Sequence, residues 1–394
     1  MKITRESAQE QCLELSKQKD VIFVEWATGI GKSLAAISIQ NSMGNPNTLV
    51  CVPRRELIEN IKAEYRKHGY EYLLDNTTII CYASLHLLVS SSWDFVILDE
   101  AHNLSDYRLE SLETLKFKKA VFLSATLKRD VKEALENMFY NKRIGYFKVT
   151  TQEAIDNEIL PEPTIYVHKL KLSASGRTET VTIKRGKPKS KTRCDYRSRF
   201  KFFKLKDLDL TFDCSQQEKY DHLLNEAQYW ENRYKDEKEE YQRLKMLRKY
   251  LDVKNFLGEA KTKYVQNLLQ TIPPDNRLIC FCSSIAQANI LGDETNTVHS
   301  QMPNVKETIR SFQDFEVNRL FAVGMLKEGM NLNAIDAGIL IQLDGTELSL
   351  IQKLGRVLRS KNPVIHVIYF QDSRDEKYMK NLFKNIDKKN LVIV

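Results

Sequence analysis

Glycine and proline are scarce, at 14 and 9 of 394 residues, which excludes collagen-like and Pro/Gly-rich disordered architectures. No stretch approaches the roughly eighteen consecutive apolar residues of a membrane-spanning helix. The amino-terminal run MKITRESAQEQ lacks the apolar core of a secretory leader. There is no C-x-x-C. The seven cysteines (Cys12, Cys51, Cys81, Cys194, Cys214, Cys280 and Cys282) are an odd number, so neither a disulfide framework nor a zinc finger is indicated. A reducing, cytoplasmic setting is expected. Cys280 and Cys282 flank Phe281 at strand spacing and read as buried small hydrophobes rather than a metal pair. Charge is close to balanced, 60 Lys and Arg against 52 Asp and Glu, and the surplus of +8 matters only where it is clustered.

What is present is a globular composition long enough for two to three domains at about 150 residues each. Over 1–150, short β-rich apolar runs at 21–26, 48–52, 78–82, 95–98 and 120–123 alternate with helical patterns. Strands separated by helices predict an α/β domain with a parallel sheet covered on both faces. The rhythm returns at 278–282, 320–323, 338–343 and 364–370, and 165–172 reads as the first strand of that second domain. The predicted division is a first domain 1–150, a second formed by 151–172 with 253–394, and an insertion 173–252. Within the insertion, residues 216–251 carry apolar positions mostly three, four or seven apart. An unbroken helix there would be about 50 Å long.

The strongest chemical signal follows the first strand: Thr28-Gly29-Ile30-Gly31-Lys32-Ser33, then a helical run. Glycines let backbone N–H groups face phosphate oxygens, and the helix N-terminus favours the anion. Lys32 reaches the β/γ-phosphates and the Ser33 hydroxyl is placed for Mg2+. Trp26 stands where the strict G-x-x-x-x-G-K-[ST] pattern has its first Gly. The run at 95–98 delivers Asp99-Glu100-Ala101-His102 at a strand's carboxyl end, the edge where open α/β sheets bind ligands. Asp99 is expected to hold Mg2+ and Glu100 to position and deprotonate the attacking water. An exposed acidic loop is the competing reading of that pair taken alone.

With these elements in order, the chain resembles the superfamily 2 helicases and translocases of the DEAH/DExH kind. Pro53-Arg54-Arg55-Glu56-Leu57 is similar to the P-T-R-E-L element and Tyr82-Ala83-Ser84-Leu85 to the following strand-end element. The resemblance implies that Pro53, Arg54, Arg55 and Ser84 face nucleic acid. It also implies two RecA-like domains. Ser124-Ala125-Thr126 resembles the S-A-T motif, implying that Ser124 and Thr126, with His102, couple hydrolysis to domain movement. Gln352, Gly355, Arg356 and Arg359 reproduce Q-x-x-G-R-x-x-R, whose arginines act as fingers on the γ-phosphate, each worth about 10³–10⁵ in rate. Gln9 resembles the adenine-reading glutamine. Gly329 and Asn331 resemble a motif touching nucleic acid and ribose, with Asn331 replacing a frequent Asp. Ser283 and Ser284 resemble phosphate contacts, or else cap a helix. Residues 154–163 and 215–223 are similar to segments of UvsW-like, XPB-like and Swi/Snf-type translocases, and His102 stands where the RNA-directed DEAD pattern has Asp.

Residues 184–206 hold eleven Lys or Arg against one acid, with aromatic residues interleaved. Strand-like alternation at 178–185 and 192–203 around the turn-forming 186–191 predicts a basic β-hairpin. In it Lys184, Lys187, Lys189, Lys191, Arg193, Arg197 and Arg199 would grip phosphates while Tyr196 or Phe200 stacks on a base. A solvated basic loop is the competing reading. The sequence therefore predicts an ATP- and Mg2+-dependent DNA helicase or branch-remodelling translocase, expected as a monomer. An RNA helicase, a restriction-type translocation subunit, and a non-enzymatic binding or annealing protein are the alternatives.

Overall fold

Near-continuous apolar runs become strands because both of their faces are covered. The computed structural model describes residues 2–127, 129–183, 210–324, 335–343, 362–383 and 387–394. In the first sheet β1 (Val21–Trp26), β2 (Thr48–Val52), β3 (Thr77–Cys81), β4 (Ser92–Leu98), β5 (Lys116–Ser124) and β6 (Ile144–Val149) lie in the order β3-β2-β4-β5-β1-β6. Every pairing in it is parallel. The carboxyl ends of β1 to β5 therefore share one edge. There they present the segments that begin at Ala27, Pro53, Tyr82, Asp99 and Ala125.

The sequence reading lacked β6. Its burial alternates, Gly145 lies within it, and it sits at the sheet's edge beside β1, so the apolar signal of a buried strand is diluted. The helix Thr151–Asp156 follows, opened by a capping box in which the Thr150 hydroxyl accepts from Glu153 N. Ala154, Ile155, Ile159 and Leu160 then bury themselves in a core that also takes Ala8 and Cys12 of the first helix, Arg5–Gln18. Ile3 N donates to Asn157 Oδ1 at 2.9 Å, and the Arg5 guanidinium donates to Ile159 O at 3.1 Å. On the other side, Asp387 N donates to Gln152 Oε1 at 3.0 Å.

The second sheet contains β7 (Thr164–Leu170), β10 (Leu278–Phe281), β11 (Thr297–Val298), β12 (Arg319–Ala322), β13 (Ala337–Leu340), β14 (Val364–Phe370) and β15 (Leu391–Ile393). Their order is β11-β12-β10-β13-β14-β7-β15, again with parallel pairings. Between β7 and β10 come β8 (Glu179–Ile183) and β9 (Leu210–Cys214), which form a separate antiparallel ribbon with Ile183 opposite Leu210. Within the described residues the first strand of the expected hairpin pairs with 210–214, and its expected partner 192–203 lies outside the described residues. The cationic positions Lys184, Lys187, Lys189, Lys191, Arg193, Arg197 and Arg199 lie outside the described residues.

The helical segment read over 216–251 is broken into two helices, Gln216–Glu237 and Glu240–Glu259, packed on one another. Lys238 adopts the left-handed conformation at φ 52° and ends the first helix, while the buried Gln242 amide donates to Glu237 and Glu239 across the turn. The signal was the apolar-free run 235–240. The second helix runs through residue 252, where the insertion was expected to end. Tyr220, Ala227, Val253, Phe256 and Leu257 fasten the pair to Phe370 at the end of β14.

Candidate nucleotide and nucleic-acid site

Between β1 and the helix Lys32–Ser42, Gly29 and Gly31 take φ of +96° and +106°. L-residues disfavour this region. It turns the chain so that the helix N-terminus opens onto the sheet edge. A Cβ on Gly31 would sit 2.8 Å from Gln9 Nε2, which places the Gln9 amide against the loop. Thr28 is half-buried and Ile30 fully buried. Lys32 is almost entirely enclosed, and its ammonium donates to Trp26 O at 2.9 Å. Trp26, where a first glycine was missing, thus supplies a carbonyl that holds the cradle's cation.

Two strands away, Asp99 N donates to Cys51 O at 2.9 Å and Asp99 O accepts from the Tyr82 hydroxyl at 2.9 Å, fixing the backbone beyond β4. Desolvation and then the neighbouring Glu100 raise the Asp99 carboxyl to about 7, against the opposing pull of Lys32. Ser33 and Asp99 open into one crevice. A hydroxyl and a desolvated carboxylate are hard oxygen donors of the kind Mg2+ takes, and a dication there would compensate the buried charge. Among the described residues no group of three or more His, Cys, Asp or Glu forms a metal cluster.

Glu100 is held in the left-handed region, φ 49° and ψ 53°, a strained conformation of the sort that collects at functional positions. Its Oε2 lies 3.3 Å from His102 Nδ1, which is 3.1 Å from Ser124 Oγ. The Ser124 hydroxyl donates to Thr126 O at 2.7 Å and accepts from Thr126 N at 3.3 Å. Asn103 Nδ2 lies 3.2 Å from His102 Nε2 and has only protons to offer. That assigns the ring proton to Nδ1, directed at Ser124 and Glu100. The chain Glu100–His102–Ser124–Thr126 therefore ties the carboxylate edge to the end of β5.

At the ends of β2 and β3, Arg54 and Arg55 are exposed, with Pro53 and Ser84 half-buried beside them. In the second domain Ser284 Oγ caps the helix Ile285–Leu291 by accepting from Gln287 N at 3.2 Å, and Ser283 Oγ donates to Gln287 Oε1 at 2.8 Å. Both hydroxyls are engaged locally, and Gly258 packs so tightly on Ser283 that a Cβ would lie 2.3 Å from the serine's own. Gly329, Asn331, Gln352, Arg356 and Arg359 lie outside the described residues. Sequence reasoning missed Leu160, whose Cδ2 lies 3.3 Å from where a Gly29 Cβ would project. Its signal was the apolar Ile159-Leu160 pair beyond the polar 156–158.

Residues 6–84 match the DEAD/DEAH box helicase family and residues 260–361 the helicase conserved C-terminal domain. Over 163 residues the chain is 28% identical to a protein of Schizosaccharomyces pombe (strain 972 / ATCC 24843) described as an ATP-dependent DNA helicase, fml2. That alignment takes in 41% of this chain and 19% of the other, so the match spans about a fifth of that relative's length. Three solved structures share the fold at low identity. The ATP-dependent Type ISP restriction-modification enzyme LlaBIII bound to DNA gives a TM-score of 0.58 at 12% identity, covering 100% of this chain and 31% of that one. The Pyrococcus furiosus Hef helicase domain gives 0.51 at 14%, covering 94% and 96%. S. cerevisiae Dbp5 bound to RNA and ADP BeF3 gives 0.59 at 14%, covering 98% and 89%.

Proposed function

We propose that this chain, which belongs to the superfamily 2 helicases, is an ATP-hydrolysing motor that moves along nucleic acid, with forked or branched DNA as its substrate. One observation carries the reading: Lys32, Ser33, Asp99, Glu100, His102 and Ser124 converge on the carboxyl edge of one parallel sheet. Cradle, paired carboxylates and coupling serine thus share one surface, with the cations Arg54 and Arg55 beside them.

In this reading the backbone N–H groups of 29–33 receive the phosphates, and Lys32 exchanges Trp26 O for their oxygens. Ser33 and Asp99 would hold Mg2+, which would supply neutralisation of phosphate charge. Glu100 orients and deprotonates the attacking water. His102 passes the resulting change at Glu100 to Ser124. Arg356 and Arg359 are assigned as fingers from the second domain, with Gln352 beside them, and Gly329 and Asn331 at the ribose. Gln9 is assigned to the adenine. The domain limits proposed are 1–150, then 151–172 with 253–394, around the insertion 173–252.

The His at position 102 favours DNA over RNA. The decisive measurement is ATP turnover with single-stranded DNA, duplex DNA, forked DNA and RNA side by side. Forked DNA is expected to stimulate most. Greater stimulation by RNA would replace the substrate, and turnover indifferent to every nucleic acid would remove the motor reading.

A further inference from the structure

The chain passes from the first domain to the second through Leu160-Pro161-Glu162-Pro163-Thr164. Up to Leu160 it is held by the first domain: Ile159 N and Leu160 N both donate to Ala154 O, at 2.8 and 3.1 Å, and Ile159 O accepts from the Arg5 guanidinium at 3.1 Å. From Thr164 it is held by the second, where Thr164 N donates to Pro363 O at 2.9 Å and β7 lies between β14 and β15. The crossing between these anchors contains two prolines. A proline ring locks its own φ near about −65° and drives the residue before it out of the helical region, so Leu160, Pro161, Glu162 and Pro163 are all restricted. Such a segment is a stiff spacer, about 12 Å from Leu160 to Thr164 at about 3.1 Å per residue. The second domain braces it as well, with Lys389 Nζ 3.0 Å from Glu162 Oε1.

At the near end of this rod stands the phosphate loop. Leu160 is 3% exposed, and its Cδ2 lies 3.3 Å from where a Cβ on Gly29 would project. At the loop's other glycine, Gly31, the equivalent point lies 2.8 Å from the Gln9 amide on the helix Arg5–Gln18. The loop is therefore gripped from two sides, by its own domain at Gly31 and by the last residue before the crossing at Gly29. Close-packed contacts pass on a displacement rather than absorb it. A crossing made of freely turning residues would let the domains move without disturbing Leu160, whereas one stiffened by two prolines delivers the movement of β7 to it.

We infer that Leu160 is a positioning residue for ATP turnover: it seats Gly29, and the rod at 161–163 makes that seating depend on where the second domain stands. The coupling rests on the motor reading above. When nucleic acid draws the domains together, β7 carries the rod, the rod bears on Leu160, and the backbone N–H groups around Gly29 take the geometry that phosphate needs. Without nucleic acid the loop is seated less often and turnover is lower.

The test reads four quantities in the intact protein and three variants: affinity for a fluorescent ATP analogue, basal turnover with its KM, turnover at saturating oligo(dT) or oligo(rU), and Tm. Leu160→Ala, which leaves a gap beside Gly29, is expected to weaken nucleotide binding and raise KM about fivefold, as the seated loop falls to about a fifth of the population. Leu160→Met refills the gap and should restore both to within about twofold. Pro161→Ala combined with Pro163→Ala keeps the Leu160 contact and frees the rod. That variant is expected to hold nucleotide affinity and basal turnover within about twofold while stimulation falls about fivefold, the low end of coupling between sites. A Leu160 that only fills space would give Leu160→Ala a lower Tm with affinity and KM unchanged, which overturns its positioning role. Undiminished stimulation in the proline variant overturns transmission through the rod, whether or not Leu160→Ala folds. An intact protein that neither oligonucleotide stimulates overturns the motor reading and the transmission with it, while the nucleotide affinities still decide whether Leu160 seats Gly29.

Discussion

Lys261 offers the sharpest test of how the second domain is held together. Its side chain is wholly buried, with Nζ 2.7 Å from Asp375 Oδ2 and donating to Ile341 O at 2.6 Å. Burial lowers the affinity of the ammonium for its proton, and the Asp375 carboxylate raises it again. Lys261→Met keeps most of the stem's volume and strands that carboxylate, which retains a 3.3 Å bond from Phe370 N. Removing one member of a buried pair costs about 3–5 kcal/mol, most of it the penalty of the abandoned charge. Adding Asp375→Asn removes the charge and leaves an acceptor for Phe370 N, so the double variant should recover about 2 kcal/mol. The two domains need not unfold together, so one spectroscopic midpoint would mix them. Hydrogen exchange in urea, read by mass spectrometry on peptides covering Val364–Phe370 and Arg374–Leu382, isolates the relevant transition. A single-variant cost below about 1 kcal/mol, or a double variant no better than the single, would refute the reasoning.

Two further outcomes follow from groups with assigned surroundings. His366 is 8% exposed and packed against His168, with Nε2 of His168 2.9 Å from its Nδ1, and burial and then His168 push it down to about 4. Its folded pKa lies below the unfolded value of about 6.5, so the unfolded chain binds the extra proton. The stability is complete above about 6.5 and shrinks as pH falls toward 4, by about 3 kcal/mol. His366→Phe should flatten Tm against pH in that window, and a profile parallel to the intact protein's would count against it. At the phosphate cradle, Lys32→Ala should lose turnover together with ATP affinity. Glu100→Gln should bind ATP normally and lose hydrolysis, as the amide takes no proton. Equilibrium nucleotide binding beside turnover checks the pair, and equal affinity loss in both contradicts the division of roles.

The strands most legible in the sequence are those whose runs are mainly apolar. β1, β2 and β14 begin and end on the residues the pattern gives, because burial on both faces keeps them dominated by large apolar residues, with Glu25 and His366 as single interruptions. β6 escaped because its edge position tolerates Tyr146 and Lys148 on its open face. The helical pair escaped because each helix keeps the same apolar period, and periodicity alone does not register one left-handed residue at Lys238. At the site, chemistry within a few residues could be read locally, since Lys32 and Ser33 follow their glycines and Asp99 and Glu100 end their strand. The contact of His102 with Ser124 could not. These residues are 22 apart in sequence and meet only because β4 and β5 pair in parallel, with Leu98 opposite Phe122.

The segment joining the domains shows the same limit more strongly. Read locally, 150–163 is a capped turn of helix followed by prolines, the signature of a linker running through solvent. In the fold Ala154 and Leu160 are as buried as the strands, and Leu160 lies against Gly29. Gly29 is therefore constrained twice, by a φ of +96° and by a side chain that leaves no slack for a Cβ. The linker's polar groups are divided between the domains: Asn157 and the Ile159 carbonyl serve residues 3 and 5 of the first, and Gln152 serves Asp387 of the second. Hydrogen bonds of this kind carry no local sequence signature, because each partner is more than 150 positions from its mate. A linker fixed in this way is part of the wall of the loop that follows β1, and Gly29, one of the two glycines that shape that loop, is packed by a residue of the segment that joins the two halves of the molecule.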